Sequence, residues 1–159
     1  MKNLLIVFAI GLFLFLNQNL ANAKDLTTKQ KAAIEKEVDT EFQKMVKAAE
    51  KLDYNMLALG VDDHLQAGFI TNNTYYAQFD TLIKAFEAQA QGVLSQSISF
   101  QNKKITVLSD RIVLITANGQ SIGTVDSGST FTVNFFWTFV YEKIDGQWKV
   151  IQSHQSTGK

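Results

Sequence analysis

The chain has no cysteine, no proline and two histidines in 159 residues. Without cysteine there is no disulfide to lock the fold, so stability must come from packing. The absence of proline removes cis-proline turns and polyproline segments. Charge of one sign is missing too. Fifteen basic residues balance fifteen acidic ones, and the longest basic cluster is the pair Lys103-Lys104. Nucleic acid and anionic membrane both require a clustered basic face, so neither is expected as a partner. No nucleophile elbow, P-loop, dinucleotide fingerprint or Cys/His metal spacing is present.

Long apolar runs are also scarce, with one exception. Leu4 to Leu16 carries no polar residue, follows Met1-Lys2-Asn3 and precedes Ala21-Asn22-Ala23. A basic start, a short apolar stretch and an A-x-A ending predict a secretory signal peptide over residues 1–23. The run falls short of the roughly 20 residues that span a bilayer. The expectation is therefore an exported protein, periplasmic or extracellular, with no membrane attachment once the segment is removed. Residues 24–159 have the length of a single domain with its own core.

Thr27 and Gln30 have capping-box spacing, and Ile34, Val38, Phe42, Met45, Val46, Ala49 and Leu52 recur in steps of three and four. This predicts a long amphipathic helix. Asp53 can cap a short second helix ending near Gly60, and a small hairpin is expected around Asn72-Asn73. Phe79, Leu82, Ile83, Phe86 and Ala90 predict a third helix. Beyond it the pattern turns to strands at Val93–Leu108, Arg111–Asn118, Ser129–Lys143 and Gln147–Gln155, with a looser connection over residues 119–128. Helices first and strands last predict an α+β fold, its helices covering one face of an antiparallel meander.

The last two strands flank Asp145-Gly146, the strongest short-range signal for a two-residue hairpin turn. A regular ladder from that turn places Trp137 beside His154, Phe139 beside Gln152, Tyr141 beside Val150 and Lys143 beside Trp148. Phe131, Val133, Phe135, Trp137, Phe139 and Tyr141 then form one inward face. Ile151 and Ser153 fall on the opposite face, as does the Glu142–Lys149 pair. That pair is expected to be exposed and to contribute about 0.2–1 kcal/mol.

The order of elements, the run Asp145-Gly146-Gln147-Trp148-Lys149-Val150-Ile151 and the ending His154-Gln155-Ser156 resemble the NTF2-like superfamily, in particular its SnoaL-like and DUF4440-type domains. The resemblance implies a cone, with three N-terminal helices packed on a strongly curved, mainly antiparallel sheet around a pocket. It also implies a homodimer formed through the sheet. Superfamily members include isomerases, cyclases, dehydratases and non-catalytic domains, so the fold leaves function open. Close relatives often carry a second His where Gln152 stands, which argues against a paired-imidazole site.

Several residues are candidates for chemistry. In an inward position, His154 can act as a general acid or base, since its ordinary pKa lies near 6.5; alternatively it satisfies a partner at the strand end with Ser156. Trp137, Phe135 and Ser156 are expected to line the pocket around it. One of Tyr75 and Tyr76 should face inward, because adjacent strand residues point opposite ways. Asp62, Asp63 and His64 form a polar knot whose spacing supports no metal site; Asp63 is placed at the pocket mouth. The functional expectation is a small, largely apolar ligand, no cofactor, and His154-assisted proton transfer or hydration/dehydration. The competing expectation is a non-catalytic module associating through its open sheet face.

Overall fold

The computed structural model describes residues 25–158; the expected signal segment, 1–23, lies outside the described residues. Three helices and six strands follow in the order α1 (Thr28–Glu50), α2 (Tyr54–Leu59), β1 (Phe69–Thr71), β2 (Thr74–Tyr76), α3 (Phe79–Gln89), β3 (Val93–Val107), β4 (Ile112–Val125), β5 (Thr130–Ile144) and β6 (Gln147–Gly158). Two helices precede the first strand, and the third is inserted between the small hairpin and the meander. All six strands form one sheet, in the order β2-β1-β6-β5-β4-β3. Every pairing is antiparallel except β1 with β6.

The local signals act where the sequence places them. Thr27 caps α1 with its side chain, and Gln30 reaches back to the Thr27 backbone N–H at 2.9 Å. Asp53 caps α2 through the Met56 N–H at 3.0 Å. Asn72 and Asn73 both adopt left-handed φ, as do Asp145 and Gly146, which joins β1 to β2 and β5 to β6 by two-residue turns. The connection expected over residues 119–128 is mostly strand instead. β4 runs on to Val125, with Gly119 and Gly123 inside it.

Val38, Phe42 and Val46 of α1 are buried against the concave face of the sheet. The Phe42 ring packs on Phe100 and Phe139 at centroid distances of 5.5 and 5.9 Å. Burying such a side chain contributes about 1.5–3 kcal/mol. At the hairpin end, Glu37 of α1 accepts hydrogen bonds from Lys143 Nζ at 2.8 Å and Trp148 Nε1 at 2.9 Å. These bonds, the lysine's foremost, hold the Glu37 carboxyl below its ordinary pKa. Glu142 lies opposite Lys149 as expected. However, its side chain is mostly covered and pairs with Arg111 at 3.1 Å, while Lys149 donates to the Leu59 carbonyl.

Tyr141 is buried beside α1, and its hydroxyl donates to the Met45 sulfur at 3.8 Å. Burial, reinforced by the charge of Glu41, raises the phenol pKa well above its ordinary value of 10. A folded-state pKa above the unfolded one means the unfolded chain loses its proton first as pH rises. Stability should therefore fall progressively above about pH 10. Urea denaturation of Tyr141→Phe should show a shallower alkaline decline than wild type; an identical decline would contradict this role.

Candidate functional site: a neutral aromatic cavity

The mouth of the cone is built from helix ends and the far half of the sheet. Val46 and Ala49 of α1, Tyr54 and Leu57 of α2, and Ile83 and Phe86 of α3 form one wall. The opposite wall is the concave face of β3 to β6, and together they enclose a cavity of about 300 Å³. That volume sits at the small end of the roughly 300–1,000 Å³ typical of small-molecule sites.

The sheet wall is aromatic because of two glycines. A side chain at Gly123 would strike the Phe131 ring, and one at Gly119 would meet the Ser99 carbonyl oxygen at 2.0 Å and the Phe135 ring at 2.9 Å. The rings of β5 therefore lie down over bare β4 backbone. Phe135 stacks on Trp137 at 3.9 Å, and Phe100 and Phe139 meet the indole edge-on at 6.0 and 5.9 Å. Trp137 and Phe135 line the cavity, as the sequence predicts.

His154 does not. The β5–β6 ladder follows the expected register from the turn as far as Tyr141 opposite Val150, then slips by one at a bulge. Ile151 is the extra residue, and Val140 then faces Gln152, Thr138 faces His154 and Trp137 faces Gln155. Because side chains alternate with period two, one inserted residue turns all that follow to the other side. His154 and Ser156 consequently lie on the convex outer face, where His154 is exposed beside Thr138, Phe136 and Lys104. The inward positions pass to Ser153, Gln155 and Thr157. The slip has a structural partner. Val150 bridges in parallel to Val61, whereas Ser153 to Gln155 pair with β1, so β6 changes neighbour across the bulge. Val150-Ile151 was the available signal, since two adjacent aliphatics break the alternation that a regular ladder requires.

The remaining candidates also lie away from the cavity. Tyr75 is 63% exposed, its ring lying over Gly68. Tyr76 faces inward opposite the fully buried Phe69 but packs into the core. Asp63 does not reach the main mouth. One oxygen of its carboxylate accepts from the Phe79 N–H at 2.9 Å, capping α3 from sixteen residues away, since Gln78 provides no side-chain cap. Its other oxygen is buried with no hydrogen-bond partner among the described residues. Asp62 binds His64 through backbone N–H and ring at 3.0 and 2.8 Å, and these bonds lower its pKa.

Polar groups in the cavity are few and uncharged. Ser153 is 2% exposed, and its hydroxyl accepts from Gln155 Nε2 at 3.3 Å. Gln96 donates to the Ala49 carbonyl at 2.7 Å and accepts from the Ser121 hydroxyl at 3.2 Å. Tyr54 directs its hydroxyl toward the Phe86 carbonyl at 3.5 Å; burial foremost, and then the Glu87 charge, raise its pKa. Among the described residues, no side chain lining this cavity is a histidine, lysine, arginine or carboxylate. No group of three potential metal ligands occurs among them either.

With this geometry in place, sequence comparison settles the family. The SnoaL-like domain model matches residues 38–158, from the middle of α1 to the end of β6. The chain is a SnoaL-like domain. Its fold recurs in solved structures at low sequence identity. An NTF2-like superfamily protein from Salmonella enterica serovar Typhimurium LT2 is 12% identical with a TM-score of 0.71, covering 81% of this chain and 94% of its own. A putative scytalone dehydratase from Novosphingobium aromaticivorans is 14% identical with a TM-score of 0.74, covering 84% and 89%. A hexachlorocyclohexane dehydrochlorinase, LinA-type3, from Novosphingobium barchaimii is 14% identical with a TM-score of 0.68, covering 84% and 92%. No curated protein matches this chain in sequence. At these identities the likeness is one of fold alone.

Proposed function

We propose that this SnoaL-like domain is a receptor for small, uncharged, largely apolar molecules, which it holds in the cone without transferring protons through His154. The observation that supports this reading most strongly is the make-up of the cavity wall. Aromatic and aliphatic side chains dominate, and the polar groups among them are amides and hydroxyls. General acid–base catalysis requires a group that titrates near the working pH within hydrogen-bond reach of the reacting atom. The imidazole best suited to that task sits on the other side of the sheet. A Trp137–Phe135 stack offers flat apolar surface to a planar ligand, and burial of such a ligand is driven by the hydrophobic effect.

Equilibrium dialysis against 2-methylnaphthalene tests the reading. Saturable binding of one molecule per chain is expected, and His154→Ala should bind with an unchanged dissociation constant. Failure of wild type to bind the probe, or loss of binding in His154→Ala with the fold intact, would contradict the proposal.

A further inference from the structure

The polar corner of the cavity has a direction, and it follows from which atoms can carry protons. The Ala49 carbonyl, near the C-terminal end of α1, can only accept. The Gln96 side chain must therefore turn its NH₂ toward it, at 2.7 Å. This fixes the amide, and Gln96 Oε1 points to the Ser121 hydroxyl 3.2 Å away. Oε1 can likewise only accept, so Ser121 donates its single proton to Gln96. What Ser121 then offers the cavity is oxygen lone pairs alone. The arrangement joins three elements, since α1 provides the Ala49 carbonyl, β3 carries Gln96 and β4 carries Ser121 on its concave face.

From this we infer that Ser121 is a specificity-determining residue, an acceptor locked by Gln96 that selects uncharged apolar molecules carrying a hydroxyl or N–H. The inference rests on the ligand-binding reading above and names the class of ligand within it. A donor on the ligand gains a hydrogen bond to a half-buried hydroxyl on an otherwise mainly apolar wall. A carboxylate brings negative charge to lone pairs, in a cavity lined by no cationic side chain among the described residues, and loses its hydration. A ligand with no polar group at that end gains nothing from Ser121.

The test compares three naphthalenes that share one ring system and differ in a single substituent: 2-naphthol, 2-methylnaphthalene and 2-naphthoate. Dissociation constants are measured by equilibrium dialysis at neutral pH on wild type, Ser121→Ala and Gln96→Met, with circular dichroism to confirm folding. Wild type should bind naphthol about 5–10-fold more tightly than methylnaphthalene, the scale of one net hydrogen bond. Naphthoate should bind at least about 10-fold more weakly than naphthol, the penalty of a buried unpaired charge. In Ser121→Ala the naphthol-to-methylnaphthalene ratio should fall to about one. In Gln96→Met the serine regains a free proton, so the deficit of naphthoate relative to naphthol should shrink; this variant carries the test if Ser121→Ala fails to fold. Equal binding of naphthol and methylnaphthalene by wild type, or discrimination that survives both substitutions, would overturn the assignment while leaving the apolar cavity standing. Failure of all three probes to bind wild type would overturn both.

Discussion

Gly119→Ala should lower the melting temperature by about 10 °C or more, although it adds a single methyl group. Gly119 lies in the middle of β4, opposite Phe100 and Phe135, where β3 carries a bulge between Phe100 and Asn102. A Cβ there would sit 2.0 Å from the Ser99 carbonyl oxygen and 2.9 Å from the Phe100 Cα. Both are backbone atoms of the neighbouring strand, so no rotamer change can relieve the clash. The strands must move apart, and the bend that closes the cone goes with them. Inserting a methyl into a packed site typically costs 1–3 kcal/mol; an immovable neighbour places this one at or above the upper end, about 3 kcal/mol. Thermal and urea denaturation would measure it. A change within about 0.5 kcal/mol of wild type, the usual span for surface substitutions, would show that the close approach of β3 and β4 is not required.

The second large effect concerns the ligand. Ala49→Phe should abolish binding of 2-methylnaphthalene while leaving the protein folded. Ala49 lines the cavity from the last turn of α1, and its backbone carbonyl accepts from Gln96. A phenyl ring introduced there occupies the space a ligand would take and meets other aromatic groups, a compatible apolar environment. Overpacking costs about 1–3 kcal/mol at most sites, and filling an empty cavity offsets part of that. In wild type, ligand at 100 times its dissociation constant stabilises by about 2.7 kcal/mol, or about 10 °C in melting temperature. In Ala49→Phe that ligand-dependent rise should vanish. A folded Ala49→Phe protein that still gains the full rise would place the binding site elsewhere.

Much of the architecture was legible because its determinants are local. The Thr27–Gln30 box, the Asp53 cap, the stripe through Val38, Phe42 and Val46, and the left-handed pairs at Asn72-Asn73 and Asp145-Gly146 each act over a few residues. The inward face of β5 was legible for the same reason, since alternation is a property of one strand. What failed was extrapolation of a ladder. One extra residue, Ile151, sits seven positions before the end of β6, and every side chain beyond it exchanges faces. His154 and Ser156 were thereby exchanged for Ser153, Gln155 and Thr157. The cause is tertiary, for β6 changes partner there from the Val61 segment to β1. β4 escaped notice beyond Asn118 for a different reason. Glycines normally break strands, but Gly119 and Gly123 are tolerated because aromatic rings from β5 lie over them. Asp63 as a cap for α3 could not be read locally either, because cap and helix are sixteen residues apart.

The register slip puts hydroxyls and amides, in place of an imidazole, on the concave side. Two tryptophans and two histidines make that distinction directly visible by nuclear magnetic resonance. The decisive measurement is titration of isotope-labelled protein with 2-methylnaphthalene, following the indole N–H signals of Trp137 and Trp148 and the ring signals of His64 and His154. Occupation of the cavity should shift the Trp137 indole strongly and leave the His154 ring where it was. A large displacement of the His154 ring signals with Trp137 unmoved would contradict the account, because it would put the ligand on the convex face.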